Sequence, residues 1–165
     1  MGETYNQHAE GDGNTQIIQS ITPDPLKVYS GDLRELILAF RNVIPPADKP
    51  EAGYIFAELE VKNKNNGMSP EYFSQVLRDD LPFFHDIDEF LHDPRSNDFT
   101  EMYNGTAKDL QGHFLSQQDR FKSIDKFLMH SYNTIFEALQ VEFGRERGKI
   151  RIFLHHMYWN CSIGV

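Results

Sequence analysis

Residues 145–165, RERGKIRIFLHHMYWNCSIGV, decide how this chain is read. The stretch opens basic and then turns apolar with a helical beat. Ile150, Phe153, Leu154, Met157, Tyr158 and Cys161 fall at i, i+3, i+4, i+7, i+8 and i+11. That spacing sets all six on one stripe of an α-helix, predicted from Glu146 to about Asn160. The single Trp and the single Cys of the chain lie here, beside the adjacent pair His155 and His156. A domain whose densest apolar segment is its C-terminus folds that terminus back into its core.

Working outward, Ser123 caps a helix over 124–143 with Ile124, Phe127, Leu128, Ile135, Leu139 and Phe143 on its buried side, and Gly144 ends it. A longer helix is expected from Phe99 to about Phe121. Between Pro70 and Leu91 the pattern predicts two helices, 70–79 and 81–91. Ser69 caps the first with Pro70 at its first position, and Asp79 or Asp80 caps the second. Residues 53–61 fit either a short strand or a helical turn. The polar run Lys62–Gly67 is expected to be a bend. Leu33, Leu36, Ile37 and Phe40 give a helix from about Ser30 to Val43 its apolar stripe. Residues 1–29 are polar and turn-rich, with one candidate strand over 15–21. The fold class is therefore mainly α: a bundle of about five to six helices, a single helical domain over 30–165, and a polar N-terminal arm over 1–29 able to form a short strand.

The composition is that of a globular chain, with 39% apolar and 25% charged residues in 165. No apolar run reaches the ~20 residues needed to span a bilayer, so no membrane association is expected. The polar N-terminus shows no signal peptide, and a single Cys forms no internal disulfide. A cytoplasmic location is expected. The net charge of −9 is uneven. Residues 71–101 hold nine acids against two bases, and the one basic cluster is Arg145, Arg147, Lys149 and Arg151. Direct nucleic-acid binding is therefore not expected, because phosphate backbones are repelled by such a surface.

Candidate chemistry is sparse. His85, Asp88, Glu89 and His92 share one helix face and include Glu89-x-x-His92, the spacing of carboxylate-bridged metal bundles. No second such motif exists, and a solvated polar face accounts for the cluster, so no metal is assigned. Arg151-x-x-x-x-His156 matches the Arg-x4–6-His pattern of the helical-bundle ribonucleases called HEPN domains. In a continuous helix, however, five residues turn through ~500°, so the two side chains diverge by ~140°. Cys161 lies on the apolar stripe, where a small thiol packs well. No phosphate loop, nucleophile elbow or other cofactor motif appears, and no cofactor is expected.

Two stretches together carry a resemblance. One is ELEVKNKNNGM, Glu58 to Met68, followed by the helix start Ser69-Pro70-Glu71-Tyr72-Phe73. The other is IRIFLHHMYWNCSIG, Ile150 to Gly164. Between them stand Phe84, Ile87, Asp88, Phe90, Leu91, Asp93 and Pro94. Over about residues 50–165 the chain resembles the C-terminal domains of bacterial ABC-three-component systems. Those systems pair an SMC-like ABC ATPase with a small middle component and an effector, and are regarded as conflict systems against invading DNA or phage. The family's terminal motif reads Asn-Cys-Asp-Ile-Gly, and here Ser162 stands in place of the Asp, which removes a cap or an ion-pair partner. The resemblance implies a stand-alone subunit, with only the Gly11–Ile17 arm in front, that docks on a separate partner.

Two functional expectations follow. The first is a non-catalytic adaptor of such a defence system, docking on the ATPase or an effector, with Lys62, Asn63, Asn66, Trp159 and Asn160 as contacts; an oligomer is compatible with it. The alternative is a HEPN-like, metal-independent ribonuclease using Arg151 and His156.

Overall fold

The computed structural model describes residues 30–40, 56–139, 146–160 and 163–164. Helix α1 (Ser30–Phe40) is followed by α2 (Phe56–Asn65). Next comes one almost unbroken helical run of changing pitch. It starts as α3 (Pro70–Tyr72), widens to a π turn over Phe73–Leu77, and returns as α4 (Arg78–Asp80). It then tightens to a 3-10 turn over Leu81–Phe83 and ends as α5 (Phe84–His92). The domain closes with α6 (Asn97–Ser116), α7 (Ile124–Leu139) and α8 (Arg147–Trp159). No strand occurs among the described residues. The expected mainly α bundle is what forms, with six helices of nine residues or more.

Local chemistry sets several boundaries as predicted. The Ser69 hydroxyl accepts the Tyr72 amide at 3.2 Å, and Pro70 occupies the first turn, where its missing N–H costs nothing. Leu33, Leu36, Ile37 and Phe40 are all buried. Three expectations need correcting. Residues 62–65 are not a bend: α2 runs through them and also makes 56–61 of the ambiguous segment helical, while 53–55 lie outside the described residues. The chain turns only at Asn66 and Gly67. Helix α6 stops at Ser116, and Phe121 is buried from the connection that follows. Asp80 makes no capping hydrogen bond at the 3-10 turn, because its carboxylate is engaged elsewhere. The candidate strand over 15–21, Phe143, Gly144 and Cys161 lie outside the described residues.

The largest difference from the sequence pattern concerns α8. The predicted stripe is buried at Ile150, Phe153, Leu154, Met157 and Tyr158, but Ile152, His155 and His156 are buried too. Helix α8 is enclosed almost all round, by α1, α5 and α7 and the 3-10 turn. The apolar side chains favour this at ~1.5–3 kcal/mol each. Two buried imidazoles oppose it by ~1–3 kcal/mol for each polar group left unpaired. How those imidazoles are satisfied is the central feature of the molecule.

Candidate functional site

His155 and His156 sit side by side on α8, and each makes an Asp–His–Tyr chain. Nδ1 of His155 lies 2.7 Å from Oδ2 of Asp80, and its Nε2 lies 2.8 Å from the hydroxyl of Tyr72. Nε2 of His156 lies 3.0 Å from Oδ1 of Asp88, and its Nδ1 lies 2.7 Å from the hydroxyl of Tyr103. A carboxylate only accepts, so each ring donates to its Asp and accepts from its Tyr. The proton facing the carboxylate therefore sits on Nδ1 in His155 and on Nε2 in His156. One chain ties α8 to α3 and α4; the other ties it to α5 and α6.

The two chains differ in their surroundings. Asp80 also accepts two parallel bonds from Arg151, Nε to Oδ2 and Nη2 to Oδ1, both 2.8 Å. Burial alone would raise the Asp80 carboxyl, but the bonds and charge of His155 and Arg151 outweigh it and hold it below the ordinary range. Burial lowers the His155 imidazole despite the carboxylate beside it, so the ring is neutral. Burial raises both the Tyr72 and Tyr103 phenols, which stay protonated and donate. In the second chain the Asp88 side chain is 41% exposed, against 2% for Asp80. Burial pushes Asp88 up, and the bonds from His156 and Asn160 with the charges of His156 and His92 together outweigh it to leave the carboxyl lowered. The Asn160 amide stands 3.3 Å from the His156 ring.

A second assembly joins the two sequence stretches that carried the resemblance. Helix α2 ends in a Schellman turn: Gly67 has φ of +64°, Met68 donates to the Asn63 carbonyl at 2.8 Å, and Gly67 donates to Lys64 at 3.2 Å. The Asn66 carbonyl accepts the first amide of α7, from Ile124, at 2.9 Å. Lys62 Nζ donates to the Tyr158 carbonyl and lies 4.4 Å from the centre of that ring. The Tyr158 hydroxyl donates to Asn63 Oδ1 at 2.8 Å. Past α8, Gly164 is clamped by Gln111, which accepts its N–H at 2.6 Å and donates to its carbonyl at 3.0 Å. Gly164 has φ of +94°, and a Cβ there would come within 2.8 Å of Asn66 Oδ1.

Of the expected contact residues, Asn63 and Asn66 are buried, and their side chains bond within the chain. Lys62 and Trp159 are half-buried, with Trp159 edge-on to Phe84 at 5.7 Å, and Asn160 is exposed. Lys62, Trp159 and Asn160 gather at the C-terminal end of α8. Arg151 and His156 are not brought together: they belong to different chains, on Asp80 and Asp88. In the polar cluster of α5, His85 pairs with Glu89 at 3.2 Å, and His92 bonds the Asp88 carbonyl at 2.6 Å. Among the described residues no three His, Cys, Asp or Glu side chains converge in a way that could hold a metal. Tyr72, Asp80 and Gln111 were not singled out for these bonds by the sequence reading, where Tyr72 stood only in a helix start and Asp80 only as a helix cap. Their partners lie 83, 75 and 53 residues away, and no local spacing signals such a pairing.

Fold and site define a class: a small helical domain whose C-terminal helix is locked in the core by paired polar chains. The chain belongs to C-terminal domain 12 of the ABC-three component (ABC-3C) systems, whose family model matches residues 22–164. Neither the curated proteins nor the solved structures include a significant match. No helix among the described residues is long and apolar enough to cross a membrane.

Proposed function

We propose that this domain is a non-catalytic docking subunit of an antiphage ABC-three-component system, acting in the cytoplasm on the system's ATPase or effector. The observation that carries the reading is the engagement of the reactive side chains of α8 inside the fold. Both ring nitrogens of His155 and of His156 are engaged, both rings are fully buried, and Arg151 grips Asp80. A ribonuclease needs a cation free to hold phosphate and an imidazole able to move a proton at the substrate. Here Arg151 spends its charge and two of its donors on Asp80, and a proton would have to leave a closed ring. The proposed docking face is the C-terminal end of α8, with Lys62, Trp159 and Asn160 outermost. Asn63 and Asn66 lie beneath and fix its shape, and Trp159 is the natural anchor.

The test is co-expression of the tagged chain with the ABC ATPase and effector encoded beside it. Capture of either, weakened at least tenfold by Trp159→Ala, is the expected result. Failure to capture either, with RNA degradation that His156→Gln abolishes, would replace this reading with the ribonuclease.

A further inference from the structure

A cleft of about 220 Å³ opens beside the Asp80–His155–Tyr72 chain. Its walls are Tyr72 and Val76 from the helical run, Met129, Tyr132 and Asn133 from α7, and Arg151 from α8. The volume is below the ~300 Å³ at which small-molecule sites begin, and suits one large side chain. Helix α7 buries Phe127, Leu128 and Ile135 yet leaves Met129 52% exposed at this cleft. Tyr132 stacks on Phe136 with rings 6.0 Å apart and 3° between planes, which makes one wall rigid and flat.

Arg151 and Tyr132 bring donors to the rim, and the Asn133 amide adds both a donor and an acceptor. Arg151 gives Nε and Nη2 to Asp80, and its Nη1 has no partner among the described residues. The Tyr132 hydroxyl likewise has none, while the Tyr72 hydroxyl donates inward to His155. Arg147, one turn before Arg151 on the same side of α8, is exposed and makes no ion pair with a described residue. Lys149, by contrast, is paired with Glu146 at 2.7 Å. Arg151 is already neutralised by Asp80, so the uncompensated charge next to the cleft is that of Arg147, one helical turn from the lining residue Arg151. In a chain of net charge −9, this is a local cationic edge on an apolar cleft.

We infer that the cleft is a second docking point, taking one aromatic or large aliphatic side chain from a partner segment whose neighbouring carboxylate meets Arg147 and Arg151. The inference rests on the docking reading and adds the chemistry of what docks. An apolar side chain fills the wall of Met129, Val76 and Tyr132, and an acid next to it satisfies the open guanidinium donors.

The test uses the full chain co-expressed with the neighbouring ATPase and effector, with a photo-crosslinking amino acid in place of Met129. The expected crosslink falls on a partner segment with a large apolar residue within two positions of Asp or Glu. Arg147→Glu should lower both the crosslink and the capture at least tenfold. A crosslink to a second copy of this chain, to nucleic acid, or to a segment without an acid overturns the inference. So does undiminished capture by Arg147→Glu; in these cases the docking reading survives wherever a partner is still captured. Capture of no partner by the unmodified chain overturns both.

Discussion

His155 and His156 are neighbours of the same chemistry, and the contrast between them is instructive. Each joins an Asp to a Tyr across the fold. Around His155 the carboxylate is closed off, and Arg151 completes its hydrogen bonding. Around His156 the carboxylate reaches solvent, and among the described residues no arginine caps it. A buried ion that loses a partner stays buried, whereas an exposed one rehydrates. Two adjacent residues of one type thus yield one rigid tie and one tolerant tie, decided by what the far end of each hydrogen-bonded chain packs against.

Truncation should expose that difference most strongly. His155→Ala leaves the Tyr72 hydroxyl unpaired, takes one of the two bonds from Asp80 Oδ2 and opens a cavity, so about 3–5 kcal/mol of stability should be lost in urea denaturation. His156→Ala should cost about 1–2 kcal/mol less, because Asp88 can turn to water. Equal losses would break the contrast.

Acidification should weaken the fold in two steps. His155 has a folded pKa below its unfolded value of about 6.5, so the unfolded chain takes up the proton first, and stability falls as pH drops below that value. Asp80 has a folded pKa below its unfolded value, so its contribution is present above about pH 4 and is lost as pH falls through the folded value. Urea midpoints measured from about pH 7.5 to 3 should decline throughout, and His155→Gln should remove the upper step. A midpoint that rises between about pH 7 and 5 would mean that His155 is charged in the fold.

Smaller effects belong to the glycines. Gly67→Ala and Gly164→Ala place a side chain at positive φ, and at Gly164 also against Asn66; about 1–2 kcal/mol should be lost at each. Gly105 and Gly112 lie in α6 with open space where a Cβ would stand. Alanine at either should raise stability by about 0.5–1 kcal/mol, read as a higher thermal midpoint.

Helix periodicity was legible wherever one face is apolar, as in α1, where Leu33, Leu36, Ile37 and Phe40 are all buried. It understated α8, because His155 and His156 break the apolar pattern while lying fully inside. A histidine enters the core only with partners, and those partners sit on α3, α4, α5 and α6. The bend expected over 62–67 was misplaced for a related reason. Lys62 and Asn63 look like loop residues, yet Tyr158 engages them both and helix α2 continues through them. The family resemblance rested on the two stretches that meet at this corner. Their contact joins the two stretches into one corner of the fold, although neither stretch alone reveals it.

The most direct test is equilibrium urea denaturation at neutral pH of the wild type, Asp80→Asn and Asp88→Asn side by side. Each substitution keeps shape and removes one carboxylate charge. Asp80→Asn should lose at least about 2 kcal/mol more than Asp88→Asn, because Arg151 and His155 are left facing an amide in a closed site. Equal stability of the two variants, or a stabilised Asp80→Asn, would contradict the view that the α8 polar residues are there to lock the fold.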